Sequence, residues 1–119
     1  MIAEESLYSL LSGTAGITAL VSTRIYPDAL PETVTYPAIV FSRASTDPVP
    51  SISNINFGSD VILNVSAWGT TRTSVDAIAV AVASAVLGTA FYMQQREAGF
   101  DPETGLFASV VTVSVFETA

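Results

Sequence analysis

Between residues 60 and 69 the apolar side chains Val61, Leu63, Val65 and Ala67 alternate with Asn64, Ser66 and Trp68. A period of two is the mark of a strand with one face in a core and the other towards solvent. The closing segment, residues 108–117, repeats the pattern, with Val111, Val113 and Val115 set against Thr112, Ser114 and Phe116. Strands of this kind need a covering layer on one side only. The chain therefore has to build an antiparallel sheet with helices packed on one face, an α+β architecture of one layer pair.

The remaining segments supply the parts. Residues 3–11 read as a short helix with Leu7, Leu10 and Leu11 on one face and Glu4 and Glu5 in the first turn, where acids suit the helix dipole. Gly13 stops it, and a second helix spans residues 15–21. Pro27, Pro31 and Pro37 give three turn signals. Residues 38–45 are a strand with Ile39 and Phe41 on one face. Residues 46–59, rich in Pro, Ser, Asn and Gly, read as a long loop. Thr73 is the expected N-cap of a helix over residues 74–87, closed by Gly88 at the C′ position. Val75, Ile78, Val82 and Val86 form its core stripe. Val80, Ala81, Ala83 and Leu87 fill much of the rest, so the helix should be covered on a second side, by another subunit or by the N-terminal helices. Residues 91–98 pair with 108–117 through a turn carrying Asp101, Pro102 and Gly105. The expected sheet has about four strands, in one domain over residues 1–119.

Composition narrows the function. Charged residues are 13% of the chain against 50% apolar, which is thin cover for a lone small domain and points to surface shared with neighbours. The net charge is −7, with four arginines, no lysine and no histidine. A grip on nucleic acid rests on neutralising phosphates with Lys and Arg, so nucleic-acid binding is excluded as a main task. The start MIAEESLYSLL is acidic where a secretion signal is basic, and the longest apolar stretch is too short for a membrane span. A soluble, cytoplasmic product is expected.

Chemistry fails by absence. Without His or Cys there is no Ser-His or Cys-His nucleophile and no imidazole or thiolate metal site. Without Lys the glycines of SGTAG cannot serve as a phosphate-binding loop. Asp101 and Glu103 are the nearest thing to a carboxylate pair, but turn chemistry explains them better than a weak Ca²⁺ or Mg²⁺ site. No enzyme activity and no cofactor are expected.

The run TRIYPDALPETVTYPAIVFSRAS resembles a widespread family of phage and prophage tail-completion proteins. Arg24, Ile25, Tyr26 and Pro27 stand at its "R-I-Y-P" turn, Leu30 and Pro31 at its "L-P" step. Tyr36, Pro37, Ala38, Ile39 and Val40 stand at its "Y-P-A-I-V" strand entry. The strand from Val61 to Trp68, the Ala/Val-rich helix and the closing GFDPETGLFASVVTVSVFE are similar to the family in the same order. Asn64 and Ser66 replace its usual polar and acidic strand residues, and the basic residue expected near Ala108 is missing.

The resemblance implies a tail terminator. Six copies would form a ring on the last tube ring, stop its polymerisation and offer a surface to the head connector. Its partners would be its own copies, the tail tube protein and the head-tail connector. DNA would only pass through the lumen, and no membrane would be involved. The place implied is the head-proximal end of the virion tail, after assembly in the host cytoplasm. The alternatives are another neck-ring subunit or, outside structural proteins, a small-molecule-binding bacterial α+β domain. The expected contact residues are Asp47, Pro48, Val49, Pro50, Ile52, Asn54, Ile55, Asn56 and Phe57 of the long loop. Asp101 and Glu103 of the hairpin tip join them. Arg43, Arg72 and Arg96 are scarce cations that could pair across a subunit boundary or within the chain.

Overall fold

The computed structural model describes residues 3–31, 33–50, 56–89 and 91–118. In chain order the elements are α1 (Ala3–Gly13), α2 (Ala15–Val21), β1 (Ile25–Pro27), β2 (Ala38–Pro50), β3 (Asn56–Gly69), α3 (Arg72–Val86), β4 (Tyr92–Asp101) and β5 (Leu106–Thr118). The strands form a single sheet in the order β1-β2-β3-β5-β4. All ladders are antiparallel except β1–β2. The α+β class expected from the alternating strands holds, with a fifth strand and a parallel edge added.

That extra strand, Ile25–Pro27, occupies what reads in sequence as turn. Ile39 donates its N–H to the carbonyl of Arg24, and Asp28 donates to Phe41, so the segment is tied to the rim of β2. Ile25 is buried beneath it. A three-residue strand ending in proline has no periodicity to detect; only the neighbouring ladder makes it one.

The core lies between the helices and one face of the sheet. Val61, Leu63, Val65 and Ala67 of β3, Ile39 and Phe41 of β2, and Val111 and Val113 of β5 supply the sheet side. Leu7, Leu11, Ile17 and Val21 come from the first two helices, and Val75, Ile78, Val82 and Val86 from α3. The opposite face is half-exposed and mixed, with Val40, Ile62, Trp68 and Val110 among Asn64, Ser66 and Thr112, and there Thr112 donates a hydrogen bond to Asn64 Oδ1 at 3.1 Å.

The loop expected over residues 46–59 is mostly a β-hairpin. β2 continues to Pro50 and β3 begins at Asn56, with Thr46↔Val61, Asp47↔Asp60, Pro48↔Ser59 and Val49↔Gly58 in register. Weak strand formers are held here because β3 is flanked on both sides: Gly58 pairs with Thr118 of β5 as well as with Val49. Proline is admissible since β2 is the outer strand beyond the reach of β1.

α3 starts at Arg72, two residues earlier than Thr73-capping requires. Thr71 is the N-cap, its hydroxyl accepting from the Ser74 N–H at 3.2 Å. Gly69 lets this turn sit tightly, since a Cβ there would meet Ser74 Oγ at 2.8 Å and Val75 Cγ1 at 3.0 Å. At the other end Gly88 takes φ +77, the left-handed C′ conformation expected of it. Gly105 likewise takes φ +73 in the β4–β5 turn.

Candidate interaction surfaces

The arm formed by the far ends of β2 and β3 carries Asp47, Pro48, Val49, Pro50, Asn56 and Phe57 on its two paired strands. Ile52, Asn54 and Ile55 lie outside the described residues. Antiparallel pairing thus brings the described residues among the expected contacts together as one two-stranded ribbon.

Arg43 and Arg72 are engaged within the chain. Arg43 donates through Nε (3.2 Å) and Nη2 (2.5 Å) to Glu4 Oε1, and through Nη1 to the Thr46 hydroxyl at 2.8 Å. The hydrogen bond from Arg43 holds the Glu4 carboxyl below its ordinary value of 4.5. This pair ties α1 to the root of the arm. Arg72 donates to the carbonyls of Ala108 (2.9 Å) and Gly99 (2.7 Å), lies 5.0 Å from the Phe107 ring centroid, and has Asp76 Oδ1 at 3.6 Å. It clamps the start of α3 onto β4 and β5. Arg24 donates to the carbonyl of Pro37 at 2.9 Å. Arg96, on β4, has no hydrogen-bond or ion-pair partner among the described residues, and it is exposed.

At the hairpin tip, Asp101 Oδ1 accepts the Glu103 N–H at 3.0 Å, and the Asp101 carbonyl accepts from Gly105 at 2.8 Å. The Asp101 carboxylate is taken up by the turn, as aspartate commonly is. Among the described residues no group of three or more acids gathers to hold a metal ion.

Two surfaces escaped the sequence reading. The first is β4 itself: from Tyr92 to Phe100 every side chain is exposed, including Tyr92 at 70% and Phe100 at 54%. β4 is the outermost strand, and α3 covers β3 and β5 more than it covers β4. Beside its start, Leu87 (78% exposed), Ala83, Tyr92 and Met93 line a shallow groove. No period-two pattern exists in YMQQREAGFD to show which face is buried, because neither is.

The second lies at the opposite edge of the sheet. There α1 stands off β1 and β2, leaving a groove of about 600 Å³. Tyr8, Ile25, Pro27 and Phe41 give it an apolar floor, and Glu4 and Glu5 an acidic rim. Tyr8 and Phe41 are in ring contact at 6.0 Å between centroids. This groove depends on β1, so it was as hidden as the strand.

An α+β subunit whose distinctive features are open edges, a projecting arm and shallow apolar grooves belongs to the class of small structural interaction proteins. Comparison with known proteins narrows the class. Residues 5–118 match the family described as Tail completion protein gp17, and the chain belongs to that family. Its role is accordingly structural, in completing phage tails, and it is not an enzyme. Its fold is similar to that of a chain in the virion of a native gene transfer agent particle, with TM-score 0.71 and 17% identity over 95% of this chain and 92% of that one. It is also similar to bacteriophage SPP1 gp17 protein, with TM-score 0.58 and 16% identity over 98% of this chain and 88% of that one. No match is found among curated proteins.

Proposed function

We propose that this protein is a tail terminator: a virion component that forms a ring on the end of the tail tube, stops its growth and presents the surface on which the head connector docks. Membership of the tail-completion family over residues 5–118 carries this reading. The fold supports it, because a ring needs a heterologous contact with two different surfaces on each subunit. The two edges of this sheet are different: one is exposed strand, the other a groove under a helix. The arm and the tip at Asp101 and Glu103 are then free to reach the tube or the connector. An acidic subunit with three of its arginines engaged internally also leaves passing DNA little to bind.

The mechanism is capping by complementary surfaces, with no covalent step. The test is tail length by electron microscopy of particles assembled with and without the gene. Overlong tails and separate filled heads in its absence support the terminator. Tails of normal length that fail to join heads make it a connector ring instead, and normal particles overturn the tail reading.

A further inference from the structure

We propose that the lateral contact of the ring is made by the β4 edge of one copy seated in the α1–β1 groove of the next. This rests on the ring reading above and names its two faces. Three observations carry it.

The first is exposure. β4 leaves its outer backbone edge open over Tyr92–Asp101 with no proline to interrupt it, and both of its faces are bare. Such an edge in a protein that stays soluble is ordinarily covered or blunted. The far side of the sheet is blunted: β1 is short and ends in Pro27, and the free length of β2 beyond Phe41 contains Pro48 and Pro50. A simple strand-to-strand continuation from copy to copy is therefore disfavoured, and at that edge of the sheet the groove beside β1 is the surface on offer.

The second is charge. Arg96 shares a face with its ladder partner Val111, so it lies on the helix-bearing side of the sheet together with Met93, the partner of Val113. It has no partner among the described residues. Glu5, on the rim of the opposite groove, is exposed and also has none among the described residues, whereas Glu4 is engaged by Arg43. Seating β4 in that groove brings an unpaired cation to an unpaired anion. It also sets exposed apolar side chains such as Met93 against the floor of Tyr8, Ile25, Pro27 and Phe41.

The third observation removes the obvious rival. Two-fold antiparallel pairing of β4 with itself over its full length sets Arg96 opposite Arg96, or Glu97 opposite Glu97. A like-charge pair at the centre of a two-stranded contact is destabilising. β4 is thus built against a closed dimer and suited to a head-to-tail contact.

The chain has no cysteine, which permits a direct test. A chain carrying both Glu5→Cys and Arg96→Cys is treated with a short bis-maleimide in purified particles, and separately as the concentrated pure protein. A ladder of covalent multimers is expected, with only monomer from either single variant. Dimers from Arg96→Cys alone, or no ladder in particles that contain the chain, overturn the proposal. Charge reversal gives a second readout. Arg96→Glu or Glu5→Arg alone should weaken self-association about tenfold at low salt, and the two together should restore it. Failure of the double variant to recover while each single is impaired also overturns the contact. Tail length in the gene deletion reports on the terminator reading independently: overlong tails with no ladder leave the terminator standing and this interface refuted. If the wild-type chain is missing from particles, the virion reading fails, and the contact is decided on the pure protein.

Discussion

Arg72 reaches two carbonyls and an aromatic ring at once, and its planar fork is what makes this possible. Replacing it with alanine strands the Gly99 and Ala108 carbonyls at the point where α3 meets β4 and β5. A loss of about 1–2 kcal/mol in denaturant unfolding is expected, at the lower end for bonds to a charged group because the side chain is partly exposed. Arg72→Lys should recover little of it. Glu4 offers a pH signature. Its carboxyl is held low by Arg43, so its contribution is present above the ordinary value of 4.5 and is lost as pH falls through the lower folded value. Stability should therefore decline on acidification below about pH 4.5, and Glu4→Gln should flatten that part of the profile. Urea titrations at several pH values check this, at low protein concentration because the sequence pI is about 4.1.

At the level of elements, α3 shows how an offset of two residues arises. Thr73 and Asp76 have the spacing of a capping box, yet Thr71 caps the helix and Asp76 faces Arg72 one turn back. Both threonines can cap; what selects Thr71 is the close seating of the turn after Gly69 against Ser74 and Val75. Thr71→Ala should cost about 1 kcal/mol, while Thr73→Ala, exposed on the helix, should change the thermal midpoint little. Equal losses from the two would show the sequence reading to be the better one. The same helix answers its other question in two parts. α1 and α2 lie against part of its second side, and Val80 and Leu87 remain exposed.

For the whole molecule, the arm is separable from the core. Among the residues whose burial is described, the buried residue of β3 nearest it is Val61, and those of β2 end at Phe41. Replacing residues 48–59 by an Asn-Gly turn should leave the melting temperature within about 5 °C of the parent, since no described core side chain is removed. Under the terminator reading the same variant should fail to join heads to tails, scored by electron microscopy. A large drop in melting temperature would instead assign the arm to the fold.

The chain's own pattern determined the layer architecture and most of the core. Alternation in 60–69 and 108–117 and the stripe Val75, Ile78, Val82, Val86 name residues that the structure buries, Val115 only in part, because burial on one face leaves a period in the sequence. Absence of His, Cys and Lys was equally legible, and so was the order of motifs shared with the family. Tertiary structure alone decided the rest. β1 exists because β2 offers a free edge, and the arm exists because β3 is held on both sides. Neither follows from the propensities of Pro, Ser, Asn and Gly. The groove under α1 and the bare strand β4 were hidden for the same reason. A surface awaiting a partner carries no internal period, and only the folded sheet shows which edges its own chain leaves uncovered.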